Sequence, residues 1–417
     1  MIDHSILRAD PDRLRTSLRR RGVEVDVDHL IGLDQGLRRV RQHAEETRAA
    51  QKEAGREIAR LTGPEKEAAI ARTGDLADQY KKLEAEAEDL RQSFDELWAT
   101  VPNLVAENAA DGFTDADNFE MKRVGEPPVF GFSQLDFTTL GRKLDIIDMD
   151  RGAKVSGSRF GYLKGRGVLL EFALVRYVME KLVAAGLTPM VPPVLVREQA
   201  LYGTGFFPGD REQVYSIPED ELFLVGTSEV SLAAYHLDEI FEADDLPARY
   251  AGFSTCFRRE AGTYGKDTQG LFRVHQFDKV EMFVFCLPED SPAEHERLLA
   301  IEEDIVGGLG IPYRVVNVAA GDLGSSAAKK YDIEAWFPSQ QTYREVTSCS
   351  NTTDYQARRL KVRVRTDEGN QIVHTLNGTA VAIGRMILAI LENFQDAEAT
   401  VAMPEPLVPL LGFSAIG

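Results

Sequence analysis

Two arginines, two carboxylates and an aromatic ring lie between Gly252 and Phe285 at spacings that would set them on one surface. Two apolar, β-branched and aromatic runs flank a polar loop, Ala261 to Gly270, that carries three glycines. This pattern predicts two antiparallel strands joined by a long hairpin loop. Side chains two apart on a strand share a face. Arg258 and Glu260 would then point one way on the first strand, and Arg273, Phe277 and Glu281 would line one face of the second. A planar guanidinium is suited to bridging two anions. Taken alone, the same charges also describe the solvated side of a sheet.

Other polar groups follow the same logic. Leu222 to Glu229 reads as an apolar strand running into a polar end, with Thr227 and Glu229 on one face. The same residues equally describe a helix start, with Ser228 or Thr227 as cap and Glu229 in the first turn. Asn377 and Thr379 share a strand face, and Arg385 opens an apolar helix, Met386 to Phe394. Glu345 and Ser348 are three apart, so a regular strand sets them on opposite faces unless a bulge intervenes. Cys256, Cys286 and Cys349 form no CxxC pair, so disulfides and a zinc site are not expected and buried thiols are. His236, in an apolar context, reads as a packed core residue, and only His275 among the histidines falls near these groups.

The run FRRE, a loop, then FRVHQFDKVE resembles the second signature motif of class II aminoacyl-tRNA synthetases, in the form found in bacterial seryl-tRNA synthetases. The resemblance implies roles. Arg258 would bind the ATP α-phosphate together with the serine carboxylate, and Arg273 the terminal phosphates. Glu260 would accept from the adenine amino group, Val274 would offer a backbone contact, and Phe277 would stack on the ring, with Arg385 on its other face. Arg259 falls in the same ATP-binding stretch. Thr227, Ser228 and Glu229 would belong to the serine site, Thr227 and Glu229 holding the amino group. Glu281 would accept from the serine hydroxyl, with Asn377 and Thr379 completing the pocket. The stretch Glu345, Val346, Thr347, Ser348 would bind ATP, with Glu345 and Ser348 as Mg²⁺ ligands. Arg258, Glu281 and Arg385 form the implied catalytic set. Ala380 and Gly384 stand where the wider class often has glycine and glutamate, which fits the seryl branch. The loop Ala261 to Gly270, with Lys266, would close over the acceptor end of the tRNA.

These residues need elements to hold them. Leu30, Leu33, Leu37, Val40, Ala44, Thr47, Gln51, Ala54, Ile58 and Leu61 alternate steps of three and four. After Gly63-Pro64 the pattern resumes with Leu76, Tyr80, Leu83, Ala87, Leu90, Phe94 and Leu97. Two heptad seams with a glycine-proline break predict a helical hairpin, roughly 50 Å long for helices of about 35 residues. Basic residues crowd its outgoing helix, among them Arg38, Arg39, Arg41, Arg48, Lys52 and Arg56. Heptads alone describe a scaffold or dimerisation coiled coil just as well; the resemblance implies an arm that grips the long variable arm of tRNA(Ser), and of tRNA(Sec). Val101-Pro102-Asn103 through about Gly112 reads as a linker. From Leu169 to Leu187, Phe172, Val175, Val178, Met179 and Leu182 recur at helical spacing before an extended TPMVPPVLV. This unit resembles the class's first motif, with Pro193 or Pro192 as its proline, and implies a homodimer.

The expected fold is α+β: residues 1–110 with a coiled-coil hairpin at about 28–99, then 111–417 as a catalytic domain built on a mainly antiparallel sheet flanked by helices. A net charge of −19 argues against general nucleic-acid affinity, so RNA would need the local basic surface. No stretch has the character of a secretory signal or a bilayer span, so a cytoplasmic protein without membrane contact is expected. The expected activity is ATP-dependent serylation, with Mg²⁺ and no zinc. The rivals are an amino-acid:carrier-protein ligase, which would lack the full arm, and a non-catalytic RNA-binding relative, which would have lost Arg258, Glu281 or Arg385. About thirty residues follow Arg385, ending in an extended MPEPLVPLLGF tail; the absence there of the anticodon-binding domain of threonyl and prolyl relatives favours seryl.

Overall fold

A computed structural model describes residues 1–261 and 271–417. The expected lid and its Lys266 thus lie outside the described residues, apart from Ala261. The chain forms two compact units, one of residues 3–19 and 23–101 and one of residues 1–2, 20–22 and 102–417.

The first unit is the hairpin. After helix α1 (Pro11–Arg21), helix α2 (Val27–Ile58) starts where the Asp26 side chain accepts the His29 N–H, the bond expected of an acidic cap. It ends just before Gly63, whose φ of +63° suits a residue without Cβ, and Pro64 opens helix α3 (Pro64–Ala99). Val40, Ala44 and Leu83 bury against Tyr80, Ala87 and Leu90, as the heptads require. The seam departs from expectation at two places. Asp34 is buried where Leu33 is only half-buried, because Arg8 and Arg38 both pair with its carboxylate, at 3.1 and 3.0 Å. Past Thr47 the seam is only partly covered as far as Leu61, which lies beyond the end of α2.

The second unit is built on an eight-stranded sheet among the described residues. Its strands are β1 (Phe119–Val124), β2 (Thr188–Met190), β3 (Ala248–Phe257), β4 (Gln276–Cys286), β5 (Tyr313–Asn317), β6 (Lys329–Phe337), β7 (Thr342–Thr353) and β8 (His374–Ala382). They lie in the order β1-β5-β6-β7-β8-β4-β3-β2, all neighbours antiparallel except β2 and β3. The expected hairpin is β3–β4, with Phe257 opposite Gln276 and Gly252 opposite Glu281.

Alternation along β4 divides the sheet. Val280, Met282 and Val284 enter one apolar core with Leu170 and Leu174 of helix α4 (Arg166–Ala184). That core also takes Leu298 and Ile305 of the helix at Ser291–Gly308, and Ile387 and Ile390 of the helix at Ile383–Asn393. The other face carries Phe277, Lys279 and Glu281, then Phe283 and Phe285 in a second core with Leu232, Ala357 and Leu360. Phe172, one of the residues at helical spacing, is 63% exposed on α4, and Leu169, Val183 and Val191 are exposed as well. Asn103, read as linker, is buried, and the tail expected to be extended contains a helical turn at Val408–Leu411. His236 packs against Phe241, Phe285 and Tyr250 but is only half-buried, with its ring nitrogens 2.6 Å from Glu239 and 2.7 Å from the Tyr250 hydroxyl. All three cysteines are buried and free.

Two irregularities decide which side chains reach the polar face. Glu334 pairs with Glu345 and Ile333 with Thr347, so Val346 is an extra residue in β7. Ala380 is a second one, between the pairs Glu281–Thr379 and Val280–Val381. A one-residue slip reverses the alternation beyond it. Glu345 and Ser348, odd in spacing, thereby come to the same face.

Candidate active site

The polar face of the sheet opens as a cleft of about 410 Å³. Strand β4 gives it Phe277 and Glu281, the approach to β4 gives Arg273 and Val274, and the exit of β3 gives Arg258 and Glu260. Glu345, Val346 and Ser348 come from β7, Asn377 and Thr379 from β8, and Arg385 from the helix that follows. Thr227 and Glu229 join them through a turn into a short helix, Glu229–Ala233, and not through strand alternation, since their strand ends at Leu224. The Glu229 N–H donates to the Thr227 hydroxyl at 3.2 Å, so the helix-start reading holds beside the cleft position. Arg258, Glu260 and Arg273 also lie just outside their strands, and Glu260 has a left-handed φ of +50°.

Three expected residues do not line the cleft. Ser228 is buried and its hydroxyl donates to the Gly252 carbonyl at 3.4 Å. Thr347, buried on the opposite face by the Val346 slip, donates its hydroxyl to the Thr379 carbonyl. Arg259 is exposed and is tied by its backbone N–H to the Gln213 carbonyl at 2.9 Å.

At one end the cleft is a closed polar network. Glu281, with no exposed surface, pairs with Lys279 at 2.5 Å and accepts from Thr379 and Asn377, each at 3.2 Å. The same Asn377 amide donates to Glu229 at 3.3 Å, and Gln356 donates to the other Glu229 oxygen at 2.7 Å. Lys279 also donates to Thr227 at 2.7 Å. Burial, then repulsion from Glu281, raises the Glu229 carboxyl to about 7, with Gln356, Lys279 and Arg258 only partly offsetting them. Its ordinary value is 4.5, so between there and about 7 the folded chain holds a proton that the unfolded chain lacks. Stability from this group therefore falls as pH rises through that window, while a cation-binding carboxylate is gained. A ligand ammonium held by Glu229 should bind progressively more weakly as pH drops below about 7. The KM for a substrate that presents an ammonium, measured from pH 8 to 6, reports this, and Glu229→Gln should raise that KM and flatten the profile.

At the other end the groups are cationic. Arg258 donates from Nε to the Gly226 carbonyl at 3.2 Å and lies over the Phe277 ring at 5.2 Å, a cation–π contact. Arg273 pairs with Glu260 at 3.0 Å. Arg385 donates to the Glu345 carbonyl at 3.0 Å and rests on Phe272, as Arg344 does from 4.2 Å. Burial would raise the Glu345 carboxyl, but Lys330, Arg385 and Arg258 outweigh it and hold it at about 2. A permanent carboxylate and the Ser348 hydroxyl are hard oxygen donors. No group of three or more His, Cys, Asp or Glu able to hold a metal occurs among the described residues. A hard divalent cation such as Mg²⁺ held by this pair would need its remaining ligands from a bound phosphate compound and water.

Sequence reasoning passed over Lys279, Lys330 and Gln356. Lys279 lies on the Phe277–Glu281 face, so the period of two contained it. Lys330 lies two residues before its partner Asp332, 2.8 Å away. Gln356 reaches Glu229 from a helix 127 residues later in the chain, for which no local pattern exists.

These features agree with what the chain is similar to. Residues 214–394 match the tRNA synthetase class II core domain (G, H, P, S and T), and the molecule is a class II aminoacyl-tRNA synthetase, hence a ligase. Residues 1–105 match the seryl-tRNA synthetase N-terminal domain. The serine–tRNA ligase of Thermobifida fusca is 51% identical over 99% of this chain and 98% of its own. That of Streptomyces coelicolor is 50% identical over 99% and 98%. The crystal structure of Pyrococcus horikoshii seryl-tRNA synthetase complexed with ATP superposes with a TM-score of 0.96 at 38% identity, covering 100% of this chain and 99% of that one. The chain belongs to the seryl-tRNA synthetase family. No helix among the described residues is long and apolar enough to cross a membrane.

Proposed function

We propose that this chain activates L-serine with ATP and transfers the seryl group to tRNA(Ser), and to tRNA(Sec). The observation that carries the reading is the position of Arg258. Its guanidinium is held by the Gly226 carbonyl at 3.2 Å, next to Thr227 in the chain, and lies over the Phe277 ring at 5.2 Å, so it stands in the cleft between the groups assigned to serine and those assigned to adenine. A guanidinium so placed suits the junction of an amino-acid carboxylate with a nucleotide α-phosphate.

In this reading Thr227 and Glu229 receive the serine ammonium, and Glu281, set by Lys279, Asn377 and Thr379, accepts the serine hydroxyl. Alanine would exclude water from Glu281 without supplying the hydroxyl donor in its place, which disfavours it. Phe277 and Arg385 sandwich the adenine, Glu260 and Val274 read its edge, and Arg273 swings from Glu260 to the outer phosphates. Mg²⁺ held by Glu345 and Ser348 would neutralise charge on the departing pyrophosphate. The serine carboxylate attacks the α-phosphorus, pyrophosphate leaves, and a terminal ribose hydroxyl of the RNA then takes the acyl group and releases AMP. Positioning and charge neutralisation supply the rate, with no covalent enzyme intermediate. The bare Leu169, Phe172, Val183 and Val191 support a homodimer through α4 and the segment after it.

ATP–pyrophosphate exchange across the twenty amino acids tests the reading. Exchange with serine alone is expected; exchange with none would overturn it. Sedimentation reports the dimer, and acylation of a tRNA(Sec) transcript reports the second RNA.

A further inference from the structure

The assignments above leave one wall of the cleft without a substrate. It consists of Gly324, Ser325, Ser326 and Ala327, beside Thr204 and Gly205. Behind it lies Arg21, only 5% exposed and with no ion pair among the described residues. Its guanidinium donates to the carbonyls of Leu323 and Gly324, each at 3.2 Å, of Ala327, and of Asn103 at 2.9 Å. Asn103 takes the two carbonyls between. Its N–H donates to Ser325 and its side-chain amide to Ser326, both at 2.8 Å.

Five consecutive carbonyls, Leu323 to Ala327, are thus drawn to Arg21 and Asn103. In a planar trans peptide the N–H of one residue points opposite to the C=O of the residue before it. The N–H groups of Gly324 and Ser325 therefore face away from Arg21 and that of Ser326 away from Asn103, and they donate to no described residue. Successive free amides of this kind form an acceptor-binding concavity. Gly324 and Ser325 are exposed at the rim, where a long molecule arriving from solvent could reach them.

We propose that this turn holds phosphate or ribose oxygens of the terminal nucleotide of the acceptor RNA, and that Arg21 is its positioning residue. The ligand must present acceptors to a row of donors, which a nucleotide backbone does. The serine and ATP contacts proposed above come from other walls. The inference rests on that functional reading and adds to it a place for the second substrate.

Two steps separate the proposals. Wild-type protein must first show serine-dependent exchange; its absence would sink the functional reading, not this one. In single-turnover transfer from preformed seryl-adenylate to a tRNA(Ser) transcript, Arg21→Ala should slow transfer by about 100-fold, the scale of a small misplacement of reactants. Exchange should change far less, and Arg21→Lys, which restores a charge and up to three donors, should recover part of the loss. Equal losses in both steps would assign the turn to the first reaction, and unchanged transfer would leave it no role; either overturns the proposal. Should Arg21→Ala fail to fold, wild-type protein is given RNA with a methylphosphonate at its last phosphodiester and, separately, with a terminal 2′-deoxy ribose. At least one must slow transfer, and neither doing so overturns the proposal.

Discussion

Arg258→Ala lowers serine-dependent ATP–pyrophosphate exchange by on the order of 10³-fold, the upper range for removing one preorganised donor from a transition state. The expectation comes from how firmly the group is held before substrate arrives. The Gly226 carbonyl takes Nε and the guanidinium lies over the Phe277 ring at 5.2 Å, so little reorganisation remains for the reaction. It lines the cleft together with Glu229 and with Glu345, so in the proposed reading its loss weakens the grip on both substrates. Arg258→Lys keeps the charge but loses the planar fork, and should recover only part of the rate. Exchange kinetics with serine and ATP varied separately provide the check. A loss confined to the KM for one substrate would show that Arg258 grips that substrate alone.

Lys279→Met destabilises the chain by about 3–5 kcal/mol, the cost of removing one partner from a buried ion pair. Glu281 is wholly buried and its cation is 2.5 Å away. Without Lys279, Glu281 and Glu229 face one Asn377 amide with no lysine between them. The deficit should shrink as pH is lowered from 8 to 6, because Glu229, already raised to about 7, loses the lysine that partly offsets its burial and takes a proton instead. The double variant Lys279→Met with Glu281→Leu should regain part of the stability though not the activity, because an apolar pair needs no compensation. Urea denaturation at pH 8 and 6 measures all three. A single variant as stable as the parent would mean that the Lys279–Glu281 pair contributes nothing to the fold.

Much of this was legible because local spacing and three-dimensional position coincide. The seams of α2 and α3, the Gly63-Pro64 turn and the β3–β4 hairpin are short-range patterns. Phe277 and Glu281 follow from alternation within one regular strand. Reading failed where position depends on distant chain. Ser228 and Thr347 share their stretches with cleft residues, yet a turn and a register slip send them to the Gly252 and Thr379 carbonyls. Phe172 satisfied helical spacing, but that spacing says only that a face is apolar and not that this unit covers it. Arg21 sits in a run of three arginines closing a short N-terminal helix, and nothing nearby in sequence hints that its partners are Asn103, Leu323, Gly324 and Ala327.

The extra residues Val346 and Ala380 act on the protein as a reading frame acts on a message. Each resets which letters downstream face the substrates, so Glu345 with Ser348, and Thr379 with Ala382, stand together despite odd intervals. Substituting Val346 by another apolar residue should matter little. Excising it would bring every later side chain of the strand out of phase, and insertions or deletions there would be purged in evolution even where the letters themselves drift.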